Sequence, residues 1–209
     1  MVRIAFRLPK AFPKDKTELL GLGKELMEEF CNVNDVPIPT VEVTPKDSWD
    51  FSSVCAYYRF NKIPICLEHC GWPCGLETSM NWTWPGSTID REPFGVIAHE
   101  LGHACDVHRG QVKHITTGKY WSEYSKAIQE TTKEPKITNY CPNHAEWFAE
   151  IFRVFVTNPN LLKILRPKTY QLLVDDGWKP VIKRDWKEAM GTNVPERVVK
   201  SNLVKIGKV

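Results

Sequence analysis

His99 and His103 stand four residues apart with Glu100 between them, inside a run that reads FGVIAHELGHACDV. Helical positions four apart lie one turn above each other, so both imidazoles can reach one metal ion while the glutamate points at the position left open. Residues 94–98 are apolar and suit burial of the same helix against a core. A chain of this composition produces the H-E-x-x-H pattern by chance about 0.013 times. No other feature constrains the fold as much: a long helix must present one buried side and one ligating side. Its expected extent is 90–110, with Asp90 as N-cap and Glu92 and Pro93 in the first turn. The pattern is that of the zinc metallopeptidase helix, and the competing reading is two histidines on a solvated face.

A catalytic zinc takes three protein ligands and keeps one position for water. A metzincin would place Gly three and His six residues beyond the second histidine, where this chain has Asp106 and Arg109. His108 and His114 are alternatives, although His108 points away from the shared face. A better third ligand lies downstream, in NHAEWFAE at 143–150. Glu146 and Glu150 share a helical face, so one carboxylate can ligate while the other holds the free N–H of a ligating histidine. Asn143 followed by Glu146 is also a capping-box pattern, which would explain Glu146 but not a second inward carboxylate at Glu150.

HELGHACD, NYCPNHAEWFAEIFRVFVTNPN and RPKTYQLL together resemble the catalytic domain of the anthrax lethal factor-like metallopeptidases. These glutamate-zincins include the secreted Pro-Pro endopeptidases and short stand-alone versions encoded by bacterial viruses, and this chain is most similar to the last. The resemblance covers about residues 90–175. It implies a zincin fold, one catalytic Zn²⁺ held by His99, His103 and Glu146, Glu100 as acid/base, Glu150 behind a ligand, and Tyr140 as the tyrosine preceding the third ligand. Tyr140 stands one residue closer to the glutamate than in the family. The implied activity is a zinc-dependent metalloendopeptidase acting on a peptide or protein substrate, with Tyr140 donating to the oxyanion.

The rest of the chain fits one α+β domain, with a small mixed sheet packed on the HExxH helix and a second ligand-bearing helix. At 209 residues, with 42% hydrophobic and 25% charged residues, it can bury a sizeable core. A helix is expected at 14–33 and a short strand at 41–43. Runs 54–60 and 63–67 suggest a hairpin turning at Asn61-Lys62, which would set Phe60 opposite Ile63 and Tyr57 opposite Cys66. Strand 63–67 is the candidate edge for an extended substrate. Further helices are expected at 119–131, 143–156, 161–165 and 168–173.

Charge divides the chain at residue 178. Residues 179–209 carry eight Lys/Arg against three acids, whereas 1–178 carry twenty basic against twenty-two acidic residues. The expected organisation is a catalytic domain at 1–178 and a basic extension at 179–209, which leaves nucleic-acid contact open. The alternatives are a non-catalytic zinc-containing binding protein, or a SprT-like DNA-associated protease, whose third ligand is normally histidine. No run is apolar enough for a membrane span, and the opening MVRIAFRLPKAFPK lacks a signal-peptide core, so a cytoplasmic protein is expected. Seven cysteines make an odd count without an export signal, which disfavours a disulfide framework. Cys55, Cys66, Cys70 and Cys74 could close a second, structural metal site, and Trp72, Trp82 and Trp84 could line the cleft.

Overall fold

The computed structural model describes residues 16–51, 54–71, 92–115, 122–138, 140–157 and 159–181. Its elements are α1 (Lys16–Asn34), β1 (Thr40–Val43), a 3₁₀ turn (Lys46–Ser48), β2 (Lys62–Ile65), α2 (Pro93–Val112), α3 (Glu123–Thr132), α4 (His144–Thr157), α5 (Pro159–Leu165) and α6 (Pro167–Asp175). The architecture is mixed α+β, with helices dominating.

Helix α1 buries the stripe Leu19, Leu22, Leu26 and Phe30. It ends where Asp35 turns left-handed, φ 54°, and the Val36 N–H donates back to the Cys31 carbonyl at 3.0 Å. It packs tightly on α2 at Gly23, where a Cβ would sit 3.0 Å from the Ile97 Cβ.

The sheet differs from the expected hairpin in two ways. Phe60 and Asn61 both have positive φ, 50° and 59°, and make a two-residue turn one position earlier than expected. Arg59 and Lys62 therefore exchange backbone hydrogen bonds (2.9 and 3.0 Å), and Cys55, not Tyr57, lies opposite Cys66. Asparagine tolerates the left-handed conformation better than lysine, and this register turns Ile63 and Ile65 fully into the core. The second correction concerns the substrate edge expected at 63–67. Strand β2 pairs in parallel with β1, Thr40 opposite Lys62 and Val43 opposite Ile65. Antiparallel bridges at Ala56–Ile65 and Arg59–Lys62 occupy its other side. With neighbours on both sides β2 has no free edge, and among the described residues the outer positions are those of β1 and of the segment containing Ala56.

Helix α2 begins at Pro93 after Glu92; the expected cap Asp90 and Trp72, Trp82 and Trp84 lie outside the described residues. Helix α3 is capped by Ser122, whose side chain accepts from the Tyr124 N–H. Buried Asp106 of α2 accepts from Ser122 Oγ (2.5 Å) and the Ser125 N–H (2.9 Å), which fastens the start of α3 to α2. Helix α4 is buried on nearly every side, its charged residues Glu150 and Arg153 included. Phe152 stacks near Phe148 (5.2 Å) and meets Phe30 (5.4 Å) and Trp178 (5.2 Å) edge-on. Such pairs contribute about 0.5–1.5 kcal/mol each beyond area burial. The chain remains docked past residue 178: Asn34 brackets Lys179, accepting from its N–H (2.7 Å) and donating to its carbonyl (3.0 Å). Residues 182–209, most of the basic extension, lie outside the described residues.

Helices α2 and α4 cross at Gly102, where a Cβ would lie 2.7 Å from the Ala149 Cα and 3.2 Å from the Phe152 Cβ. Backbone cannot yield as a side-chain tip can, so Gly102→Ala is expected to destabilise the fold by about 1–3 kcal/mol despite alanine's better helix propensity. Gly21 lies on the exposed side of α1 with nothing within 4 Å of a built Cβ. Gly21→Ala should therefore stabilise by about 0.5–1 kcal/mol. Urea midpoints of the two variants check the pair, and a shift of the same sign in both contradicts the crossing argument.

Candidate metal centre

The Gly102 crossing sets one turn of α2 against two turns of α4. From α2 come His99, Glu100 and His103; from α4 come Glu146, Glu150 and Arg153. Asn143 caps α4 by accepting from the Glu146 N–H at 2.9 Å, yet the Glu146 side chain turns inward to both histidines. Asn143 thus makes its half of the capping box, while the Glu146 carboxylate that would complete the box is turned to the histidines instead.

Glu146 Oε2 lies 3.0 Å from His99 Nε2 and 3.5 Å from His103 Nε2. One ligating atom from each of the three residues falls within 4.8 Å of the others, so the group could hold a metal ion. Donors bound tetrahedrally at about 2.0–2.1 Å stand about 3.3 Å apart, close to these spacings. A second observation fits a cation: the Glu100 Oε2 is buried and has no hydrogen-bond partner among the described residues. His108 and His114 do not join the group among the described residues.

Burial opposes charge on every member, and the members counter it for one another. At His99 burial works against the proton, but Glu146 and Glu150 outweigh it and carry the imidazole well above its ordinary range. Glu146 is pushed up by burial but held well below the usual carboxylate range by His103 and His99. Glu150 is likewise pushed up by burial and drawn lower by Arg153 and His99. At Glu100 burial wins and raises the carboxyl, with His99, His103 and a backbone hydrogen bond from Tyr58 acting the other way. That contact brings the outer strand segment to the site.

Glu150 sits behind His99, with Oε1 2.8 Å from His99 Nδ1. This leaves His99 Nε2 for the ligand position. Arg153 escaped the sequence reading, although a lone charge in the apolar run IFRVFV is itself a signal of a buried partner. Tyr140 lies in the loop before α4, its ring centroid 5.9 Å from that of His99 and 41% exposed. Burial, then Glu146, Glu100 and Glu150, push its phenol up to about 12, so it keeps a proton to donate at neutral pH.

The cysteine cluster does not make a second centre among the described residues. Cys55, Cys66 and Cys70 gather, but Cys55 Sγ donates to the His69 carbonyl (3.2 Å) and Cys70 Sγ to the Cys66 carbonyl (3.5 Å). A hydrogen bond with Cys55 and burial push the Cys70 thiol up. His99, His103 and Glu146 are the metal-holding group found among the described residues, and Cys74 lies outside them. No described helix is long and apolar enough to cross a membrane.

No protein-family model, curated protein or solved structure matches this chain.

Because His99 holds a proton between two carboxylates and a metal ligand must give it up, metal binding should release a proton. Affinity should accordingly fall about tenfold for each unit by which pH is lowered from the raised pKa of His99, about 10, to neutrality. Zinc titrations by calorimetry in buffers of different ionisation enthalpy measure the proton count, and a pH-independent affinity contradicts it.

Proposed function

We propose that this protein is a zinc-dependent metalloendopeptidase of zincin type. The observation that carries the reading is the convergence of His99, His103 and Glu146 on one point, with the buried Glu100 on the same turn of α2 carrying an oxygen that has no hydrogen-bond partner among the described residues. Two imidazoles and one carboxylate are a catalytic zinc donor set, which leaves a coordination position open. Zinc held there supplies Lewis acidity, acidifying a water and polarising a peptide carbonyl.

The chain's own residues divide the remaining work. Glu100, its carboxyl raised by burial, takes the proton from the attacking water and passes it to the leaving amine. His99 and His103 are fixed on one helical face, so Glu100 works against a rigid frame. Tyr140, still protonated at neutral pH, donates to the oxyanion that develops on the substrate carbonyl. An extended peptide lies along the 55–59 segment, which the Tyr58 backbone N–H, donating to Glu100, ties to the site.

Glu100→Gln should abolish cleavage of a peptide library, by at least 10²–10⁴-fold, while zinc content stays at one per chain. Tyr140→Phe should lower kcat by about 10²–10³-fold with little change in KM. Full activity of the Glu100 variant overturns the role given to that residue, whereas a wild-type protein that binds zinc and cleaves nothing favours a binding protein instead.

A further inference from the structure

Among buried charges outside the ligand set, Arg153 is the one whose placement asks for a reason. It is 0% exposed on α4, and its neighbours Ile151, Phe152, Val154 and Phe155 are also 0% exposed. A guanidinium in such a place is costly unless it is paired, and a well-packed apolar residue would serve packing as well or better. The pairing is specific: Arg153 Nε donates to Glu150 Oε1 and Nη2 to Glu150 Oε2, both at 3.1 Å. Glu150 Oε1 is also the atom 2.8 Å from His99 Nδ1.

The guanidinium is planar and its donors form a rigid fork, so a two-point contact fixes the plane of the carboxylate it holds. With that plane set, one lone pair of Oε1 remains for His99 and points across the helix crossing. Among the described residues no carboxylate holds the second nitrogen of His103, so the two ligands are not equivalent. His99 is anchored from behind, and His103 is steered by its own helix and by Glu146.

We propose that Arg153 is a positioning residue for the metal centre, fixing Glu150 so that His99 presents Nε2 to the ion in one tautomer and one orientation. The inference rests on the zinc reading above and adds a third layer to it, from guanidinium to carboxylate to imidazole. Its role differs from that of a fold-stabilising ion pair because its effect appears at the ion and not only in the stability of the chain.

The test measures zinc affinity of the full chain by competition with a chromogenic chelator. Beside it run the visible spectrum of the Co²⁺-loaded protein and thermal unfolding of the metal-free form. Arg153→Met and Glu150→Gln should each weaken zinc binding 10–100-fold and alter the cobalt bands, and the double variant should be no worse than the weaker single one. Arg153→Lys keeps the charge without the fork and should recover affinity only in part. An Arg153→Met protein that unfolds more easily yet keeps wild-type affinity and cobalt spectrum overturns the proposal. If that variant does not fold, Arg153→Lys decides: wild-type affinity and spectrum overturn it, and weaker binding supports it. A wild-type protein that takes up no zinc overturns the metal reading and this proposal together, whereas zinc binding indifferent to Arg153 overturns the proposal alone.

Discussion

Everything at the centre of this protein depends on how closely α2 and α4 cross. The Gly102 backbone meets the Ala149 backbone with no room for one more carbon. Glutamate side chains reach only a few ångströms, so a wider crossing would carry Glu146 out of range of His99 and His103. Glycine within HELGH and alanine within EWFAE thus have a geometric role, placing ligands from two helices around one point. The same closeness lets Glu150 reach behind His99 instead of beside it.

The crossing also concentrates charge. Three glutamates, two histidines and an arginine lie within two turns of each helix, and Glu150 and Arg153 are fully buried. Each of these groups alone would lose heavily by leaving water. Their alternation makes the arrangement tolerable: arginine faces glutamate, glutamate faces histidine, and histidine faces the ligating glutamate. Glu100 is the exception, with an oxygen that finds no partner among the described residues, and it is the group proposed to move protons. An unsatisfied polar atom in an otherwise matched network is expected where function, not folding, sets the requirement.

The helical half of the fold was legible because its periodicity is strong. The burial stripe of α1 and the apolar run of α4 fall where spacing predicts, within a few residues at the ends. The strand pairing was less legible for a specific reason. Both Phe60-Asn61 and Asn61-Lys62 are plausible two-residue turns, and the choice between them rests on which residues the core accepts, a long-range matter. The parallel partner of β2 carries no local signal at all, so the expected free edge was misplaced. In the site, His99, Glu100 and His103 could be read from spacing, and Glu146 from its pairing with Glu150. Arg153 was missed because sequence reading treats an isolated charge as surface decoration, although an arginine flanked by phenylalanine and valine has little surface to decorate. Gly102 was missed because a glycine's value lies in what comes close to it, which a single sequence does not state.

The placement of the aromatic core follows from the same reasoning. A helix crossing filled with ionisable groups adds little net stability, since pairing mainly offsets desolvation. Stability must come from elsewhere on the same helices, and it does: Phe148, Phe152 and Phe155 line α4 beside the charged side chains, and Phe30 and Trp178 close over them. Helix α4 therefore carries two unlike surfaces in one stretch. Its carboxylates face the α2 ligands, and its rings face α1 and the returning chain. Because the rings are rigid and close-packed, they hold the backbone that aims the carboxylates. Loosening the aromatic side should thus disturb the ligand side even with every ligand intact, which makes the core part of the site's precision and not only of its support.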